Sequence, residues 1–290
     1  MAAITAQMVN SLREKTGVGM MKCKEALVAC EGDVDKAVEH LRKQGAAVAA
    51  KRADKEAKEG AVFVGSTDGK AFAFELTSET DFVAKSDDFG KLGSDITEAI
   101  KANNAASVEE VLKLSVGSLT VAGRIEEVLA KIGEKIEIRR FASTTIGANE
   151  VVASYSHMGG KIGAVVKLAY EGSPNGGKEA VQASAKIIAL HVTASNPMAL
   201  DESGLAPELI AKEKEIAKDQ IANEGKTKPE FIDRAVEGRV KKALKQFCLL
   251  DQEFYIDSKK IVRDVLAEEQ KKLGVSKLAV AQFIRFEKGK

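Results

Sequence analysis

The sequence has almost no net charge: 44 Lys and Arg offset 43 Asp and Glu, leaving +1 at pH 7. That balance argues against a strongly basic nucleic-acid binder, which carries a one-sided excess of Lys and Arg. Cysteine is scarce. Cys23, Cys30 and Cys248 form neither an even framework nor a CxxC pair, so they read as reduced thiols of a cytosolic protein. Cys23 and Cys30 lie seven apart on one helix face, which is core spacing rather than ligand spacing. Histidine is equally rare. His40, His157 and His191 show no metal-ligand spacing. No Ser–His–Asp arrangement or acid/base pair can be argued from spacing, so no catalytic centre, metal or cofactor is predicted. No apolar run reaches about 18 residues, and no basic-then-apolar leader precedes the first amphipathic helix. A cytoplasmic, non-membrane protein is expected. What the chain does have is charge of both signs, 30% of its 290 residues, on a length that suits two or three domains.

The pattern predicts an α+β fold in three parts: 1–55, 56–147 and 148–290. Residues 4–44 read as three short helices. Thr5 caps the first, and Met8, Val9 and Leu12 face inward. Met20, Cys23, Leu27 and Cys30 mark the second. Gly32 ends it and Asp33 caps the third, with Val34, Ala37, Val38 and Leu41 inward. This is a compact module of the ubiquitin-associated shape, which implies helix-surface binding without naming a partner. Residues 45–59, rich in Ala, Lys and Glu, read as a helical or frayed linker.

From Gly60 the period switches to two. Residues 61–65 and 70–77 form a hairpin around Thr67-Asp68-Gly69. Helices follow at about 88–103, 107–114 and 119–132, then a strand at 135–145. Strands at 151–156 and 161–170, a loop and a helix at 178–194 repeat the opening order, which predicts two related α+β subdomains. Residues 205–246 differ. A charged helix to Glu224, with a thin stripe at Leu209, Ile216 and Ile221, is broken by Gly225-Lys226-Thr227-Lys228-Pro229. Ile232, Val236, Val240, Ala243 and Phe247 line a second helix, so an inserted antiparallel helical hairpin is expected. A helix at 258–273 and a strand at 277–287 close the pattern.

Gly172-Ser173-Pro174-Asn175-Gly176-Gly177-Lys178 has phosphate-loop spacing between a strand and a helix. Glu179, however, stands where Ser or Thr would hold magnesium, and its carboxylate would repel phosphate. The sequence therefore favours a structural turn with Lys178 in water. A P-loop-type nucleotide enzyme remains only as an alternative reading, as does a scaffold that binds a partner through its three-helix module and helical arm.

The most informative stretch follows the alternating strand Ala71–Leu76, with Phe72, Phe74 and Leu76 on one face. It is Glu79-Thr80-Asp81-Phe82-Val83-Ala84-Lys85, in which Thr80 reads as a helix N-cap. Phe82, among the acids Asp81, Asp87 and Asp88, is either a plug under the turn or a wedge for another protein. Met20 and Met21, beside Lys24, read as core or as an adaptable contact patch.

Residues 79–85 closely resemble the loop of the elongation factor Ts family, the nucleotide-exchange factors of the translational GTPase elongation factor Tu. Thr16-Gly17-Val18-Gly19-Met20-Met21-Lys22-Cys23-Lys24, continuing to Cys30, is similar to that family's N-terminal signature, and Lys131–Arg140 to a third segment. The resemblance implies that elongation factor Tu is the partner, that a higher-order complex with it is open, and that the chain needs no cofactor and binds no nucleotide or nucleic acid directly. It implies that Thr80, Asp81, Phe82 and Val83 disturb the magnesium site of the GTPase, and that Met20, Met21, Lys24, Ile132, Gly133 and His157 make further contacts. Many members continue past the Phe283–Gly289 segment into a C-terminal helical module. The resemblance implies that its contacts are absent or replaced here.

Overall fold

A computed structural model describes residues 4–52, 54–224 and 231–290. The chain is a mixed α+β protein that divides into two compact units. One holds Met1–Thr144, Ser156–Gly163 and Phe286–Lys290; the other holds Thr145–Tyr155 and Ala164–Arg285.

The elements of the first part are α1 (Ala6–Thr16), α2 (Met20–Ala29), α3 (Val34–Lys51), β1 (Glu59–Ser66), β2 (Lys70–Ser78), α4 (Asp81–Ala84), α5 (Asp87–Ala102), α6 (Val108–Lys113), β3 (Ser115–Val116), β4 (Leu119–Thr120), α7 (Val121–Ile132) and β5 (Ile136–Thr145). Local signals set the helix ends. The Thr5 hydroxyl accepts the Met8 amide, Asp33 Oδ1 accepts the Lys36 amide at 3.0 Å, and Gly17 closes α1 at φ 67°. Leu12, Cys23, Ala26, Leu27, Ala37 and Leu41 form the buried centre of the three-helix segment.

Helix α3 runs well past residue 44, so the start of the expected linker is helix. Packing explains the extension, because α3 lies on α7. Gly45 permits the approach: a Cβ there would meet the Ala130 Cβ at 2.9 Å and the Glu126 carbonyl at 3.0 Å. Of the same predicted linker, residue 53 lies outside the described residues.

Strand β2 is central in the order β1-β2-β5, and β1 pairs with it antiparallel from Glu59↔Ser78 to Ser66↔Ala71. Its alternation gives two faces, and both are covered: Ala71 through Ser78 are all buried. Phe72, Phe74 and Leu76 join Phe89, Leu92 and Ile96 of α5 in one apolar core. On the other face Glu75 is fully buried. It accepts from Arg140 Nε at 2.7 Å and from the Gly289 amide at 2.7 Å, so its charge is compensated.

The second part contains β6 (Glu150–His157), β7 (Ile162–Glu171), α8 (Gly177–Ser195), α9 (Pro207–Glu224), α10 (Ile232–Leu244), α11 (Val262–Leu273) and β8 (Lys277–Glu287). The sheet order β6-β7-β8 repeats the order of the first: a hairpin, then a late strand beside the hairpin's second member. Leu168, Val181, Ile188, Leu266 and Leu278 belong to its core.

Helices α9 and α10 run antiparallel. Ala217 and Ile221 meet Val236, while Leu209 and Ile210 cluster with Leu244 and Cys248. The contact stripe corrects the sequence pattern by one position: Ala217 is buried, whereas Ile216 is 38% exposed. Ile232 is exposed to the same extent. The Gly225–Pro229 break lies outside the described residues. Helix α11 begins at Val262 rather than 258, because Asp257 turns the chain and Asp264 accepts the Ile261 amide to cap the helix.

Candidate functional site

Strand β2 delivers the chain into a single helical turn, α4. Four residues cannot sustain a helix by themselves, because nucleation costs more than one turn returns. Side chains supply the support. The Thr80 hydroxyl accepts the Val83 amide at 3.4 Å and donates to Glu134 Oε1 at 2.9 Å; the Thr80 amide donates to Glu134 Oε2 at 3.0 Å. One residue earlier, Glu79 accepts two bonds from Arg52 Nη1, at 2.7 and 2.8 Å, and the Lys135 amide at 2.7 Å. Burial pushes the Glu79 carboxyl up, but the Lys135 amide and the Arg52 guanidinium outweigh it and hold it below its ordinary value.

Within this frame Val83 points inward and is buried, while Phe82 is 83% exposed. Val83, not Phe82, therefore fills the space under the turn. Asp81 accepts from Lys85 Nζ at 2.7 Å, one helical turn on. That hydrogen bond is the main reason its carboxyl lies below the ordinary range.

Glu134 and Lys135 immediately follow Ile132 and Gly133, so these bonds bring residues 80–83 and 132–133 side by side. Gly133 caps α7 in the left-handed region at φ 85°, a conformation that favours glycine. Ile132 is half-buried against the core of the first sheet. Helix α2 approaches the same end of α7 through Lys22 Nζ, which donates to the Ala130 carbonyl at 3.2 Å.

Met20 and Met21 are exposed on α2, with Lys24 beside them. Met20 therefore leaves the inward row that the spacing gave it, and Cys23, Ala26 and Leu27 fill the core. Val28 is also exposed. With Met21 and Lys24 it makes an i, i+3, i+7 face that sequence reading missed, although the spacing was available. His157 ends β6 and is partly buried, next to the exposed Met158. Its turn lies against β1, where the Val62 amide donates to the Gly160 carbonyl at 2.7 Å.

The decoys resolve physically. In the Gly172–Lys178 loop the Asn175 amide donates to the Leu273 carbonyl at 2.7 Å and the Asn175 side chain to Lys272, so the loop fastens the end of α11. Lys178 is already inside α8 and exposed. His191 is fully buried. Its Nε2 bonds Gln252 at 3.0 Å, its Nδ1 accepts the Tyr255 amide at 3.3 Å, and burial lowers its pKa. Among the described residues no His, Cys, Asp and Glu group could hold a metal ion, and no helix is long and apolar enough to cross a membrane.

An aromatic ring turned outward on a clamped turn has the form of a surface that receives another protein. Comparison with known proteins gives that form a family. A profile described as Elongation factor TS matches residues 79–290. Elongation factor Ts of Chloroherpeton thalassium is 41% identical over 295 residues, covering 100% of this chain and 99% of that protein. The Clostridium novyi protein of the same name is 40% identical over 291 residues, covering 99% and 93%. That of Nautilia profundicola is 40% identical over 292 residues, covering 100% and 94%. The chain belongs to the elongation factor Ts family.

Proposed function

We propose that this chain is a guanine-nucleotide exchange factor that binds elongation factor Tu carrying GDP, disturbs its magnesium site and promotes GDP release during translation elongation. The observation that carries the reading is Phe82, outward on a turn whose neighbours Thr80 and Val83 are fixed. In this reading the ring enters an apolar crevice between two helices of the GTPase. Asp81, released from Lys85, perturbs the magnesium environment, and Thr80 and Val83 hold the turn. Ile132 and Gly133 touch the same helices, and Met20, Met21, Lys24 and His157 add contacts elsewhere on the partner. Magnesium offsets the charge of the bound phosphates, so shifting its ligands weakens GDP.

The energies are attainable. Nanomolar GDP binding is worth about 12 kcal/mol, and a ~10⁴-fold faster release needs only about 5.5 kcal/mol off the barrier. One buried aromatic hot spot with several weaker contacts is of that size. The chain makes and breaks no covalent bond in this scheme and acts in the cytoplasm without binding nucleotide itself. Its working parts are a ubiquitin-associated-like module at 1–55, related α+β subdomains at 56–147 and 148–290, and a helical hairpin inserted at about 205–246.

Coupling between the two ligands is reciprocal, which gives the test. Calorimetry should find tight binding to nucleotide-free elongation factor Tu and much weaker binding to the GDP–magnesium form. Equal affinity for the two would refute exchange, because a ligand that binds both states alike shifts neither.

A further inference from the structure

Two acidic side chains cross over between the segments that carry the site. Glu79, beside the Phe82 turn, accepts the backbone amide of Lys135; Glu134, beside the Gly133 cap, accepts the backbone amide of Thr80. Each segment thus supplies a carboxylate to the other's main chain. The second Glu134 bond does more. By accepting the Thr80 hydroxyl proton it turns that hydroxyl so that its oxygen can take the Val83 amide, which is the cap of α4. Arg52, just beyond α3, closes the arrangement with two bonds to Glu79. None of these residues is exposed as Phe82 is: Arg52, Glu79, Thr80 and Glu134 are all partly buried.

We propose that Glu134 and Glu79, with Arg52, are positioning residues that lock the Phe82 turn to the Gly133 cap, so that the ring and Ile132–Gly133 meet the partner as one preformed surface. This rests on the exchange reading above and adds to it residues that act through Phe82 without touching the partner. The physical advantage is preorganisation: a ring already fixed in its bound direction loses less freedom on docking. A one-turn helix without the clasp would sample many directions.

The test is a double-mutant cycle in GDP release from elongation factor Tu, joined to a measurement on the free chain. Glu134→Ala should lower exchange efficiency about tenfold in the natural background and less than threefold in Phe82→Ala, because Glu134 acts through the ring. Glu134→Gln keeps one acceptor oxygen and should fall between, and it serves if the alanine variant folds poorly. In the free chain, hydrogen exchange at the Val83 and Lys85 amides should quicken at least tenfold in Glu134→Gln. Equal losses in both backgrounds, or unchanged amide exchange, would overturn the clasp while leaving the exchange reading standing. If Phe82→Ala itself released GDP at the natural rate, both would fall.

Discussion

Phe82 is the residue on which the account turns. Phe82→Ala removes an aromatic anchor, for which about 2–4 kcal/mol is typical at a hot spot, or a roughly 30- to 1,000-fold loss in exchange efficiency. Because the ring is outside the core, melting temperature should barely move. A steep drop in melting with normal exchange by the folded fraction would make it a plug. Asp81→Ala should cost less, since the carboxylate sits at a wet surface beside Lys85. Lys178→Ala should leave exchange within about twofold, because an exposed lysine contributes little; loss of nucleotide binding by the isolated chain in that variant would revive the phosphate-loop reading. Glu79 gives a pH signature. Its folded pKa lies below the ordinary 4.5, so its stabilisation is present above that value and disappears as pH falls below it. The melting difference between the natural chain and Glu79→Gln should therefore shrink on acidifying from pH 6 to pH 3. A constant difference would mean that the carboxylate's charge is irrelevant. The local pattern reached the Thr80 cap but left Phe82 open, because a strand-to-helix junction does not say which of two adjacent side chains turns inward; only the family resemblance assigned the ring to a partner. Glu134 was out of reach for another reason: its partner is 54 positions away in the chain, and no local period encodes that meeting.

At the scale of elements, α3 on α7 decides how the N-terminal helices are held. Gly45→Val would drive a branched side chain into Ala130 and the Glu126 carbonyl. Overpacking of this kind costs about 1–3 kcal/mol, so melting temperature should fall and affinity for elongation factor Tu should weaken with it. Unchanged stability would mean that the two helices separate freely. The α9–α10 pair makes the opposite prediction. Its base is tied by Leu205, Leu244, Ala199 and Cys248, whereas Ala217, Ile221 and Val236 pack on one another farther out. Replacing residues 213–239 by a short Gly/Ser linker should leave the base and the rest of the fold intact and retain most exchange on the isolated GTPase. Global loss of circular dichroism would show instead that the arm completes a core. Element positions were largely legible, because Thr5, Asp33, Gly133 and the Thr67-Asp68-Gly69 turn carry their own chemistry. The packing of the extended α3 on α7 and the one-residue shift of the α9 stripe were not, since tertiary contact rather than local propensity sets them.

Over the whole molecule, two sheets of the same strand order each carry a helical layer, and the residues proposed to meet the partner all lie in the compact unit that holds the first sheet. The repeat was readable as hairpin, loop and helix appearing twice, although residue identities between the copies are few. The buried Glu75, paired with Arg140 and Gly289, was invisible in the alternation because its partners come from distant segments. Family membership assigns the chain to translation elongation, and the clamped, outward Phe82 is the residue proposed to act there. The most direct measurement is stopped-flow release of a fluorescent GDP from elongation factor Tu over a range of concentrations of this chain. The account predicts that release accelerates by orders of magnitude and saturates as the complex fills. Binding without any acceleration would contradict it and leave a scaffold in its place.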